Sequence, residues 1–387
     1  MKLQDIKETI NDITTPAYIF DFDAFKKKVI YTADMLGNIP LTYSIKANPY
    51  LMKKLPEQIK HVEVCSPGEL EICKKYNIPG SRIIYSGVNK QESDITEALM
   101  HEVDIATAES MLHIQTEQKA ASKLGKVQKV ILRLSSGNQF GMSEKDIFDI
   151  LEHSDKYKNI NFYGIHYYSG TQKKERQIKK DIERLLGFLT RAKEQFGFEP
   201  HLVEYGPGFC SEYFSEPYDE TEKEAFGQAL PLLKDFAKKY PLGIEMGRFL
   251  ASPCGTYITT VSDMKVVDET NFVITDGGIH HLRYYGQTLA MQEPEIEVAV
   301  NKDEFDNYCL CGSLCTVADV LVRQTSLPKL NIGDKILFHR CGAYSVTEAN
   351  VLFLSRKMPD MYAYTLRDGV VKLKTGKESW TINISND

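Results

Sequence analysis

Residues 41–86 read LTYSIKANPYLMKKLPEQIKHVEVCSPGELEICKKYNIPGSRIIYS. Three short β-rich runs stand in this stretch, at 41–46, 62–65 and 82–86, and an amphipathic run at 67–76 lies between the last two. A strand, a helix and a second strand in succession imply a crossover connection and parallel strands. The alternation continues outward. Upstream lie a run at 17–22 and a helical stretch at 23–36. Downstream, 103–107, 129–134, 162–168, 202–205 and 242–245 read as strands, and 109–124, 144–153, 173–196 and 222–240 as helices. Eight such units over about 200 residues fit a closed (β/α)8 barrel. An open, doubly wound sheet is the alternative that periodicity alone leaves standing.

Beyond about Ala251 the helix signals fade. Short β-rich runs separated by turns take over at 257–260, 264–267, 271–275, 295–300, 335–338 and 351–355, which predicts an all-β C-terminal domain. The expected fold class is therefore α/β: a barrel over 22–250, with residues 1–21 and 251–387 in a β-domain.

Hydrophobic residues make up 42% and charged residues 26% of the 387, which excludes a disordered or fibrous chain. The net charge of −6 offers no electrostatic footprint for nucleic acid or anionic membranes. No apolar run approaches the ~20 residues of a membrane helix. The polar start of the chain lacks the apolar core of a secretory signal, so a cytoplasmic protein is expected. The eight scattered cysteines then read as reduced thiols. Cys309, Cys311 and Cys315 cluster, but their spacing fits no common zinc pattern, and no metal is expected.

Lys46 lies in Tyr43-Ser44-Ile45-Lys46-Ala47-Asn48-Pro49, at the C-terminal end of the first barrel strand. That end is the catalytic face of such barrels. A lysine there is placed to form an imine with a carbonyl; alone, it would read as an exposed strand-end residue. It has company. Strand seven leads into Glu204-Tyr205-Gly206-Pro207-Gly208, and strand eight into Glu245-Met246-Gly247-Arg248. Barrels often bind phosphate with these two loops. Gly206 and Gly208 let backbone N–H groups approach closely, and Arg248 adds a charge-assisted contact. Lysine, glycine loop and arginine together describe a phosphorylated aldehyde cofactor, pyridoxal 5'-phosphate. Glu245 is placed to keep a pyridine nitrogen protonated, which makes the ring an electron sink. Its other reading is a loop-end acid or a structural partner of Arg248.

With these motifs in place, the chain from about Pro16 to Met358 resembles the fold-type III pyridoxal-phosphate decarboxylases, the family of diaminopimelate, ornithine and arginine decarboxylases. Further stretches carry the resemblance in family order: Glu63-Val64-Cys65-Ser66-Pro67-Gly68-Glu69-Leu70, residues 164–172, residues 311–321 and Gly342-Ala343-Tyr344. The resemblance implies an alanine racemase-like barrel plus β-domain. It also implies a head-to-tail homodimer with shared active sites, Lys46 as the Schiff-base lysine and Glu245 as the pyridinium partner. Gly206, Gly208, Gly247, Arg248 and Tyr344 resemble cofactor ligands, most of them on the phosphate side. Cys315 and Asp319 resemble the pair that reaches across the dimer, with the cysteine as proton donor. By themselves Cys315 reads as a buried apolar thiol and Tyr344 as a core aromatic.

The departures bear on function. Where the family stacks a histidine on the pyridine ring, this chain has Tyr168, which can stack but supplies no cation. His166, two residues earlier on the same strand face, either shares that role or is a satisfied core histidine. Gln139 replaces a family lysine, and Pro207 removes one N–H from the glycine loop. Thr316 follows Cys315 where diaminopimelate and ornithine decarboxylases place an acid for the distal cation of the substrate. A neutral threonine cannot make that pair. The Cys-Thr-x-x-Asp pattern resembles members acting on conjugated or carrier-linked amino acids, such as a glutamyl unit on an acyl carrier protein or a citryl-diaminopropionate. Arg283 is a candidate ligand for a substrate carboxylate, with a surface arginine as its plain reading. The expected activity is decarboxylation of an α-amino acid. Free meso-diaminopimelate, lysine, ornithine or arginine are the alternative substrates, and a racemase or a non-catalytic partner-binding homologue are the competing functions.

Overall fold

The computed structural model describes residues 1–300 and 302–385. Strand β1 spans Ala17–Asp21. The next eight are β2 (Leu41–Ser44), β3 (Ile59–Val64), β4 (Ile83–Tyr85), β5 (Ile105–Ala108), β6 (Gln128–Arg133), β7 (Ile160–Tyr168), β8 (Leu202–Gly206) and β9 (Leu242–Met246). These eight pair in parallel, in chain order, and β2 closes on β9 with Leu41 opposite Ile244 and Thr42 opposite Glu245. Closure decides for the barrel over the open sheet. The strands are short and buried along most of their length, as a sheet wrapped by helices requires.

Helix Glu175–Phe196 shows how the wrapping works. Ile178, Ile182, Leu185, Phe188, Leu189 and Ala192 recur at three- and four-residue spacing and are all buried. Phe188 stacks on Phe148 of helix Glu144–Glu152 with ring centroids 5.5 Å apart. Each such side chain contributes roughly 1.5–3 kcal/mol of apolar burial. Gly197, at φ +64°, ends the helix in the left-handed conformation that glycine adopts without strain. Helix Glu92–Met100 lies outside the sequence expectation. It has only Ile95, Ala98 and Leu99 buried, too few apolar positions to announce a period.

Eight strands follow: β10 (Gly255–Val267), β11 (Thr270–Thr275), β12 (Ile296–Val298), β13 (Phe305–Cys311), β14 (Val320–Pro328), β15 (Lys335–Phe338), β16 (Asp360–Thr365) and β17 (Gly369–Lys374). They form a nine-stranded sheet with β1, ordered β14-β13-β11-β10-β1-β16-β17, and β15 bridges β10 to β12. Residues 257–260 and 264–267, expected as two strands, are one strand with an irregularity between Val261 and Asp263. β13, β14, β16 and β17 were not anticipated; β13, for example, reads FDNYCLC, where apolar residues gather only at its second half. Residues 351–355 are not a strand: Leu354 and Ser355 have positive φ, which no sheet accommodates.

Contacts divide the chain into two compact units. One is the barrel, Lys28–Ser211 with Asp219–Phe249. The other gathers Met1–Lys27, Glu212–Tyr218 and the chain from Leu250 onward. Residues 22–27 and 212–218, expected with the barrel, group with the second unit. Its core includes Ile6, Ile10, Ile13, Ile19, Ile258, Leu337 and Tyr362. The N-terminal amine lies 2.8 Å from the Asp21 carboxylate, with both groups buried. Among the described residues, no helix is long and apolar enough to cross a membrane.

Candidate active site

β2 stops at Ser44, and Ile45–Ala47 turns as a 3-10 helix that carries Lys46. The stop is built by the residues that follow. Asn48 caps the next turn by accepting the Tyr50 N–H at 3.0 Å, Pro49 opens that turn, and the Tyr43 hydroxyl donates to the Asn48 carbonyl at 2.9 Å. Gly247, just past β9, has a packing role here. An added Cβ would lie 3.0 Å from Ala47 Cβ and 3.3 Å from Ser44 Cβ, so glycine lets the end of β9 meet the Lys46 turn.

Lys46 Nζ donates to Glu63 Oε2 at 2.5 Å, and lies 3.3 Å from Cys65 Sγ and 3.9 Å from Glu245 Oε1. The Cys65 thiol donates to the other Glu63 oxygen at 3.0 Å. Burial pushes the Cys65 thiol well up, and the Glu63 carboxylate adds to this, so Cys65 is a thiol rather than a thiolate. Glu245 accepts from Ser44 Oγ at 3.0 Å, and its second oxygen faces His166 Nε2 at 3.2 Å. Burial works against ionisation of Glu245, but the Lys46 charge, His166 and the Ser44 hydroxyl together hold its carboxyl below the usual range. His166 is thus a buried partner of Glu245, on the strand residue that pairs with Glu204 of β8.

Glu204 is buried, and its carboxyl is pushed up to about 8, first by burial and then by the charges of Glu245 and Glu63. Its Oε1 has no hydrogen-bond partner among the described residues. A Cβ on Gly243 would stand 2.3 Å from its other oxygen, so Gly243 makes the room this acid occupies. Glu63, Cys65 and Glu204 were not anticipated as site residues. The available signal was a glutamate flanked by apolar residues near the C-terminal end of each of two barrel strands, in Val62-Glu63-Val64 and Val203-Glu204-Tyr205.

Tyr168 ends β7 half-buried. Burial raises its hydroxyl, and it feels the charges of Lys46, Glu245 and Arg248, which places those groups around it. A Cβ on Gly206 would fall 2.7 Å from Tyr168 Cδ2, and one on Gly208, at φ +58°, 2.0 Å from the Gly170 carbonyl oxygen. The two glycines therefore let the loop after β8 lie against the loop after β7. Arg248 begins the short helix Arg248–Ala251, half-buried.

The remaining expected residues belong to the β-domain. Cys315 is exposed and Thr316 half-buried, on the loop between β13 and β14. Asp319 closes that loop. Its oxygens accept the Ile279 N–H at 2.8 Å and the Leu314 N–H at 2.7 Å, and Gly278 and Gly312 have no room for a Cβ beside it. An expected substrate contact, Asp319 is in the structure a buried organiser of backbone. Arg283 is exposed, with Nε 3.8 Å from Glu348 Oε2. Tyr344 is half-buried at φ +65°, a strained backbone for a non-glycine residue.

An amine flanked by carboxylates, an aromatic ring, a close-packed glycine loop and an arginine meet at the C-terminal ends of the barrel strands. That donor set fits a phosphorylated pyridine aldehyde, which defines the class: a pyridoxal-phosphate enzyme. Residues 22–252 match the family described as pyridoxal-dependent decarboxylase, pyridoxal binding domain. A diaminopimelate decarboxylase of Aquifex aeolicus is 25% identical over 97% of this chain and 92% of its own. An L-glutamyl-(BtrI acyl-carrier protein) decarboxylase of Niallia circulans is 26% identical over 89% and 87%. The solved diaminopimelate decarboxylase of M. jannaschii in complex with L-lysine superimposes with a TM-score of 0.86 at 20% identity, covering 98% of this chain and 94% of that one. The chain belongs to the fold-type III pyridoxal-phosphate-dependent decarboxylases, the ornithine, arginine and diaminopimelate decarboxylase family. It is an amino-acid carboxy-lyase.

Proposed function

We propose that the substrate is an amino acid whose far end is an amide, thioester or acyl conjugate rather than a free cation. Thr316 carries this reading. It stands where a diamine-forming relative has an acid, and the acid nearest in its own loop, Asp319, has both oxygens engaged by backbone N–H groups. The loop thus offers no carboxylate to a distal ammonium. The carrier-linked decarboxylase of Niallia circulans, at 26% identity, supports the reading. A second reading, free meso-diaminopimelate, has the 25% identical Aquifex aeolicus enzyme in its favour.

In this reading Lys46 is the attachment point of the cofactor, and Glu63 is the nearest acceptor for the ammonium proton that attachment must shed. Glu245, held ionised, keeps a proton on the pyridine nitrogen, while His166 and Ser44 fix its two oxygens. Tyr168 supplies the stacking ring, and Gly206, Gly208, Arg248 and Tyr344 hold the phosphate side. The bound cofactor supplies a sink for the electrons left at Cα when CO2 departs. Cys315, in a homodimer with shared sites, returns a proton to that carbon.

The test is CO2 release by the cofactor-loaded enzyme, comparing meso-diaminopimelate, lysine, ornithine and arginine with a glutamyl-carrier protein and citryl-diaminopropionate. Release confined to a conjugate supports the reading. Fast release from a free basic amino acid overturns it. Cys315→Ala, in the same assay, is expected to slow turnover or divert it to transamination; an unchanged rate and product ratio would remove Cys315 from the chemistry.

A further inference from the structure

Behind the stacking ring lies a buried polar network that the decarboxylation chemistry does not use. Its centre is Asp181, on helix Glu175–Phe196. Both Asp181 oxygens accept from Ser169 Oγ at 2.8 Å, and Oδ2 also faces Lys173 Nζ at 2.5 Å and accepts the Tyr205 hydroxyl at 2.8 Å. Lys173 Nζ donates in turn to Ser169 Oγ at 2.8 Å. Lys173 and Asp181 are both buried.

The positions of these residues in the chain matter. Ser169 follows Tyr168 directly, and Tyr205 directly precedes Gly206. Asp181 therefore ties together the ends of β7 and β8, from which the stacking ring and the glycine loop emerge. Further bonds join the same two loops. The Lys173 N–H donates to the Gly208 carbonyl at 2.9 Å. The Gln172 side chain donates to the Ser211 carbonyl at 2.8 Å and accepts the Ser211 N–H at 2.7 Å. The Lys173 ammonium stands 5.9 Å from the Tyr168 ring centroid and 5.5 Å from that of Tyr205, within reach of a cation–π attraction to each. A tyrosine at 168 carries no charge of its own, and here a lysine from the adjoining loop brings one to its ring.

We propose that Lys173, held by Asp181, is a positioning residue for the cofactor: it locks Tyr168 and the 206–211 turn into one unit and supplies the positive charge that position 168 lacks. The inference rests on reading Tyr168 as the ring that stacks on the cofactor. A buried ion pair is by itself weak support for stability, because desolvation offsets most of the attraction, whereas removing one partner strands a charge. What this pair does in the fold is hold geometry, since Asp181 binds both the residue after Tyr168 and the residue before Gly206.

The test uses pyridoxal 5'-phosphate as the probe and the charge-balanced double variant Lys173→Met/Asp181→Asn, made in the natural chain and in a Tyr168→His chain. Cofactor affinity and the absorption spectrum of the bound cofactor are read by titration, and its attachment is fixed by borohydride and located by mass spectrometry. In the natural background the double variant is expected to lose about tenfold in affinity and to shift the absorption maximum. In the Tyr168→His background, where the ring can carry its own charge, the loss should shrink to about threefold or less. An equal loss in both backgrounds, or none in either, overturns the proposal. If the double variant does not fold, Tyr205→Phe and Ser169→Ala each remove one tie to Asp181 and leave the ion pair. Weaker cofactor binding in both, with unchanged melting of the cofactor-free chain, supports the proposal; unchanged binding in both overturns it. Failure of the underlying site reading looks different, because the natural chain itself would then attach no cofactor at Lys46.

Discussion

Glutamine at position 204 would keep the shape of a buried acid and remove its proton equilibrium. Glu204 is displaced from an ordinary 4.5 to about 8, chiefly by burial. At about 1.4 kcal/mol per pH unit that displacement corresponds to roughly 5 kcal/mol. Between those two values the folded chain keeps the proton and the unfolded chain has released it. Rising pH therefore favours unfolding across the window, and the effect is complete above the folded value. Glu117, raised to about 7 by burial, acts in the same direction but is spent sooner. Burial holds His113 and His280 down to about 4 and His281 to about 3, from an ordinary 6.5. These histidines add stability as pH rises, and only up to their unfolded value. Between pH 7 and 8 Glu204 dominates, with a loss of about 1 kcal/mol for a group half-titrated at 8. The assay is urea unfolding of the cofactor-free chain from pH 5 to 8.5, so that cofactor binding does not enter. The natural chain should lose stability from 7 to 8, and Glu204→Gln should lose well under half as much there, the remainder coming from Glu117 and the buried cysteines. An identical slope in both proteins would refute the reasoning that Glu204 is neutral in the fold.

Glu245→Gln should keep cofactor attachment at Lys46 but slow CO2 release by about 100-fold, since an amide does not hold a proton on the pyridine nitrogen; single-turnover rates check this. Gly206→Ala places a Cβ 2.7 Å from Tyr168 Cδ2; cofactor affinity should fall about tenfold, and the same change should cost little in a Tyr168→Ala chain. Thr316→Glu should move the preference toward free diamino acids by about 10–100-fold in kcat/KM, the worth of one charge-assisted hydrogen bond. Mixing inactive Lys46→Ala with impaired Cys315→Ala chains should raise CO2 release above that of Cys315→Ala alone if sites are shared between protomers, and add nothing if each chain works alone.

Much of the candidate site was legible because it rests on local chemistry. Lys46 before Ala-Asn-Pro, Gly206-Pro-Gly208 and Glu245–Arg248 each sit at or just past the end of a barrel strand, and strand ends are where such folds keep their reactive groups. His166 was left between two roles because sequence spacing gives its strand face but not its partner. The partner, Glu245, is two strands away. Asp319 was assigned toward the substrate because its position in the motif says nothing of which way the carboxylate turns; two backbone N–H groups turned it inward.

The β-domain was the harder part. Its sheet joins β1 antiparallel to β10 and parallel to β16, partners more than two hundred residues away, and most of its strands are only partly buried. Sequence alone determined the alternation of strands and helices, the end of the barrel that carries the candidate site and the candidate residues for a phosphorylated cofactor, because periodicity and strand-end position are properties of neighbouring residues. Tertiary structure decided barrel closure, the neutral Glu204, the ionised Glu245 and the Lys173–Asp181 tie between two loops. Those depend on burial and on charges brought together from distant parts of the chain, and burial sets the cost of a charge only once the surrounding atoms are in place.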